Sequence, residues 1–107
     1  MMLSHFYINS LNGIIFQNFE YGYKSSDFLD KIASSWKFNS VSNSLMFVIN
    51  GYEFVVNGNN ETMSMSVSNG DSLLSIIHSK TVLEFRITDK CVSIYCGYNE
   101  VHRYCYV

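Results

Sequence analysis

The sequence predicts a strand-rich α+β fold: a single antiparallel sheet, a meander of about six strands, with one main helix over residues 26–37 packed on one face. Three observations predict it. Asn-Gly pairs recur between apolar runs, and both residue types tolerate the positive φ of tight hairpin turns. Several segments alternate apolar and polar residues with a period of two, the mark of a strand with one buried and one wet face. One segment carries apolar residues at helical spacing. A small β-barrel or sandwich is the alternative arrangement of the same strands.

From the N-terminus, residues 3–9 and 14–19 read as a hairpin around Asn12-Gly13. The helix follows. Ser26 caps it, and Asp27 and Asp30 sit in or near the first turn, where the helix dipole favours acids. Phe28, Leu29, Ile32, Ala33 and Trp36 form its apolar stripe. The clearest hairpin joins residues 45–49 to 52–56 through Asn50-Gly51, a type I′ signal. Met63, Met65 and Val67 alternate with polar residues across 62–68, and Leu83, Phe85 and Ile87 alternate with Glu84, Arg86 and Thr88. Asp89-Lys90 turns the chain into a strand over 91–96, and Gly97-Tyr98-Asn99-Glu100 turns it into a last strand over 101–107. Residues 72–79 read as either a short helix or a strand, because short apolar runs do not separate the two. The expected core packs Phe28, Leu29, Ile32 and Trp36 against Phe47, Phe54, Met65, Leu83 and Phe85.

A chain of 107 residues is one domain's worth, 1–107, and a hydrophobic content of 48% supplies ample material for one core. The net charge is −2, and two arginines and five scattered lysines build no basic stripe, so direct nucleic-acid binding is not expected. The longest strictly apolar run, residues 45–49, is far short of the roughly 20 residues a spanning helix needs. No membrane association is expected, and the start of the chain lacks the pattern of a secretory signal. Three cysteines, Cys91, Cys96 and Cys105, are an odd number with no CxxC pair. They read as buried free thiols, and with the missing signal they point to the cytoplasm. Asn60-Glu61-Thr62 matches a glycosylation triplet, one that also arises by chance.

No segment carries a recognisable catalytic, cofactor or metal motif. The glycines form neither a dinucleotide fingerprint nor a phosphate loop. His5, His78 and His102 have no His or Cys partner at metal-ligand spacing. His102 and Cys105 fall on opposite faces of one strand, which disfavours a dyad. No cofactor is therefore expected. Tyrosine is the suggestive residue: eight occur, in groups such as Tyr21 with Tyr23 and Tyr95 with Tyr98. Tyrosine combines contact area with a polar tip and is enriched at binding hot spots.

The composition therefore points to a small binding protein that inhibits a partner macromolecule. In size and composition the chain resembles bacterial immunity proteins, which neutralise a toxin, often a nuclease, by covering its active site. It is similar in the same way to phage anti-defence inhibitors of the anti-CRISPR kind. Tyr21, Tyr23, Asp27 and Asp30 are the expected partner-binding residues, with the acids meeting Lys or Arg of a protein partner. Two other classes stand beside this reading. One is a metal-free nuclease using His5 or His102 as acid or base, which requires the first and last strands to come together. The other is a structural subunit that forms a homodimer through a free sheet edge.

Overall fold

The alternating segments do form strands, but they divide between two sheets. The computed structural model describes residues 2–10, 14–18, 25–39, 41–42, 44–58, 63–79, 82–97 and 100–106. In chain order these form β1 (Met2–Ser10), β2 (Ile14–Asn18), α1 (Ser25–Ile32), β3 (Ser35–Asn39), β4 (Ser44–Ile49), β5 (Tyr52–Gly58), β6 (Met63–Asn69), β7 (Ser72–Ser79), β8 (Val82–Thr88), β9 (Cys91–Tyr95) and β10 (Val101–Cys105). One sheet runs β3-β4-β5-β6-β7, an uninterrupted antiparallel meander. The other runs β10-β9-β8-β1-β2, so the first hairpin of the chain joins the last three strands through β1 and β8.

This corrects the single-sheet expectation. Phe47 and Phe54 of the meander meet Phe85 of the other sheet, with ring centroids 5.6 and 6.0 Å apart. All three rings are fully buried. Tyr52 packs against Tyr104 across the same seam, and its hydroxyl donates to the Cys105 carbonyl. One core cluster thus draws on both sheets, which is the sandwich alternative. The physical reason is coverage. The apolar rows of β4, β5, β6, β8 and β9 need covering, and an eight-residue helix is too small to cover them, whereas a second sheet buries them.

The helix is shorter than its periodicity implies. It ends at Ile32, not Lys37. Leu29 is buried, Ile32 and Ala33 pack partly against the core, and the Ala33 N–H still donates to the Leu29 carbonyl at 2.9 Å. The Ser34 N–H then donates to Val48 O at 2.9 Å, and the chain continues as β3 on the edge of β4, with Trp36 opposite Phe47. Strand pairing satisfies this backbone and buries Trp36 in part, so tertiary packing overrides the helical spacing.

Other expectations hold. Asn50 (φ 48°) and Gly51 (φ 87°) both take positive φ, as the type I′ turn requires. Met63, Met65, Val67, Leu83, Phe85 and Ile87 all face the core. Residues 72–79 are strand β7, an edge strand that exposes Leu73, Leu74 and Ile76. The Asn12-Gly13 turn, the 60–62 triplet and the side chain of Phe28 lie outside what the structure describes.

The cysteines overturn their reading in part. Cys91 and Cys105 stand opposite each other across β9 and β10 and are joined by a disulfide; Cys96 is free and buried. The observed register, with Val101 opposite Tyr95 and Cys105 opposite Cys91, brings the two cysteines together; a turn centred on the expected 97–100 would set Cys91 opposite Tyr106 instead. Disulfides persist in oxidising compartments, so the cysteines no longer argue for the cytoplasm. No helix among the described residues is long and apolar enough to cross a membrane.

Candidate functional site

Strand alternation places one side chain in two on the outer face of the β10-β9-β8-β1-β2 sheet, away from the core. On β8, Leu83, Phe85 and Ile87 point inward, which sends Glu84 and Arg86 outward. The register then sets their neighbours: His5 of β1 opposite Arg86, Tyr7 opposite Glu84, and on the other side Tyr95 of β9 opposite Glu84 and Ser93 opposite Arg86. Arg103 of β10 stands opposite Ser93.

Glu84 is the centre of this group. Its Oε2 accepts from His5 Nε2 at 2.6 Å and from Arg86 Nε at 2.8 Å. The side chains of His5 and Glu84 are each only 18% exposed, so the pair is shielded from water, while Arg86 is 43% exposed. Burial pushes the Glu84 carboxyl up, but the hydrogen bonds and charges of Arg86 and His5 outweigh it and hold the group below the ordinary carboxylate value. The Glu84 bond in turn raises Arg86. An ionised carboxylate only accepts, so the His5 proton in this contact sits on Nε2. The Arg86 guanidinium lies over the Tyr95 ring, 4.3 Å from its centroid, a cation–π contact. The His5 ring lies 5.0 Å from that of Tyr7. Arg103 Nε donates to the buried Ser93 Oγ at 3.1 Å. The face thus carries a cation, a carboxylate, an imidazole and two aromatic rings in fixed relation at the middle of a sheet.

Of the four expected contact residues, only Asp30 has a described side chain. Asp30 is exposed on α1, but its Oδ1 accepts from Trp36 Nε1 at 2.7 Å and so ties the helix to β3. Tyr21 and Tyr23 lie outside the described residues, as does the side chain of Asp27. The first and last strands do belong to one sheet, but β8 and β9 separate them. His5 faces outward, whereas His102 stands opposite the inward-facing Ile94, so the two histidines do not form a pair.

His102 has its own neighbours. Its Nε2 donates to Glu100 Oε1 at 2.8 Å, which holds Glu100 below its ordinary value. The Cys96 Sγ lies beside them and donates to the Glu100 carbonyl at 3.7 Å. Burial, and then the Glu100 charge, push the Cys96 thiol up to about 11.

Two sequence signals carried these groups. The wet face of the 82–88 alternation held Glu84 and Arg86, although their partners on β1 lie 79 residues away for the His5–Glu84 contact. The C-x3-E-x-H spacing of Cys96, Glu100 and His102 is local and needed only the hairpin to become a cluster. No protein-family model, no curated protein and no solved structure matches this chain.

Proposed function

We propose that the chain is a binding protein that inhibits a partner macromolecule, most simply an immunity protein that covers a toxin's active site, and that it works through the outer face of the β10-β9-β8-β1-β2 sheet. The His5–Glu84–Arg86–Tyr95 network carries this reading. Arg and Tyr are the residue types that dominate binding hot spots. Here their geometry is fixed before any partner arrives, which lowers the ordering cost of association. A phage anti-defence inhibitor is the same reading with a different partner. The reading includes a cytoplasmic site of action, and the disulfide argues against that part; trapping free thiols in intact cells with an alkylating agent decides it.

The test is affinity capture from the native host with the wild-type chain and with an Arg86→Ala/Tyr95→Ala variant, followed by an activity assay of any captured protein. The expected result is a partner that the wild type inhibits and the variant, equally folded, does not. Equal inhibition by both chains overturns this assignment of the surface. A captured protein whose activity is unaffected overturns inhibition.

A second reading, a metal-free nuclease, is favoured by one observation: His5 and Glu84 form an acid–base pair within hydrogen-bond reach, with Arg86 beside them for a phosphate. His102 has no part in it. The assay is cleavage of generic RNA by wild type, His5→Ala and Glu84→Gln; no activity in the wild type ends this reading.

A further inference from the structure

The geometry points to a binding site for a zinc-class divalent cation at the β9–β10 hairpin, with Cys96, Glu100 and His102 as its three protein ligands. It is separate from the outer-face network and does not depend on the function assigned to that face.

The hairpin builds the site. The Cys96 N–H donates to Glu100 O at 3.2 Å, and the Glu100 N–H donates to Gly97 O at 2.9 Å, so residues 96 and 100 close the loop opposite each other. Gly97 takes φ 85°, a conformation that favours glycine. Cys96 continues the inward-facing row of Val92 and Ile94, and His102 lies two residues beyond Glu100, on the same side of its strand. One donor atom from each side chain then lies within 4.8 Å of the other two. Three points so spaced have a common centre no more than about 2.8 Å from each, and side-chain rotation of a few tenths of an ångström brings them to the roughly 2.0–2.3 Å of zinc bonds. The Glu100–His102 contact of 2.8 Å opens only slightly to become two adjacent ligands.

The donor set chooses the metal. Thiolate, imidazole and carboxylate together suit zinc or cobalt, and a thiolate is a poor ligand for magnesium or calcium. Three protein ligands leave a fourth position for water, and the Glu100 side chain is exposed to solvent. A nucleophilic role for the same three residues is disfavoured, because Cys96 is buried and its thiol is held protonated. A bound cation reverses this: the sulfur coordinates as thiolate and its proton passes to solvent.

The experiment is a Co²⁺ titration of tag-free protein with the Cys91–Cys105 disulfide intact. The expected result is a thiolate-to-cobalt charge-transfer band that saturates at one equivalent and is displaced by Zn²⁺. Glu100→Gln and His102→Gln are expected to weaken cobalt binding by about tenfold or more, and Cys96→Ala to abolish the band. No band with cobalt in large excess overturns the proposal. So does a band that is unchanged in Glu100→Gln and His102→Gln, which alter exposed or half-buried positions and so decide the matter even if Cys96→Ala does not fold.

Discussion

His5 Nε2 and Glu84 Oε2 lie 2.6 Å apart across β1 and β8, although 79 residues separate them in the chain. The contact joins the N-terminal hairpin to the C-terminal strands on a face that the core does not organise. Hydrogen bonds to charged groups contribute roughly 1.5–3 kcal/mol and exposed ion pairs roughly 0.2–1. This shielded pair sits between those classes. A double-mutant cycle of His5→Ala and Glu84→Gln, read by urea unfolding, is expected to give a coupling of about 1 kcal/mol. A coupling near zero would show that the pair holds nothing together.

The same carboxyl sets an acid dependence. Glu84 faces His5 and Tyr7 from β1, Tyr95 from β9 and Arg86 on its own strand. Its pKa is lowered in the folded state, because Arg86 and His5 outweigh burial. A group lowered on folding contributes stability above its unfolded pKa, about 4.3 for Glu. That contribution is lost as pH falls through the folded value. Unfolding midpoints measured from about pH 6 down to pH 3 should therefore fall less steeply in Glu84→Gln than in wild type. Parallel curves would contradict the assignment.

The disulfide closes a loop with a sequence separation of 14 between Cys91 and Cys105. Constraining a loop of that length in the unfolded chain corresponds to about 3 kcal/mol. The Cys91→Ser/Cys105→Ser chain is expected to lose about 2–3 kcal/mol in urea unfolding, and limited proteolysis should cut first near the β9–β10 hairpin. Equal stability of the two chains would mean that strand pairing alone fixes the register.

Phe85 is a buried ring at the seam between the two sheets, in contact with both Phe47 and Phe54. Phe85→Ala is expected to cost about 3–5 kcal/mol, which approaches the whole stability of a small domain, and Phe85→Leu markedly less. Thermal unfolding of the Leu variant gives the measurable version. A loss as small as that of an exposed substitution would contradict the shared core.

Gly51 has φ 87° and open space around any added Cβ, so Gly51→Ala acts through backbone strain and not through a clash. The left-handed region costs a non-glycine residue about 1–2 kcal/mol. A loss of about 1 kcal/mol is expected in chemical unfolding, with the strand content by circular dichroism unchanged.

The sequence by itself determined the local facts. Asn50-Gly51 specified its turn, and alternation named the buried residues of β6 and β8, because both signals depend on a few consecutive residues. Only the tertiary structure decided which strands became neighbours. Periodicity states which face of a strand is apolar and says nothing about its partner, so the pairing of β1 with β8 was invisible and the two-sheet arrangement stood only as an alternative. The same limit hid the site: Glu84 and Arg86 were legible as wet residues of a strand, but His5 reached them only through that pairing. At residues 33–37 a local signal lost outright, because joining β4 satisfied the backbone and packed Trp36 partly against the core. Cys91 and Cys105 belong with the tertiary decisions. Their spacing read as free thiols, and only the strand register, which a one-residue shift of the turn changes, set them opposite each other and allowed the bond.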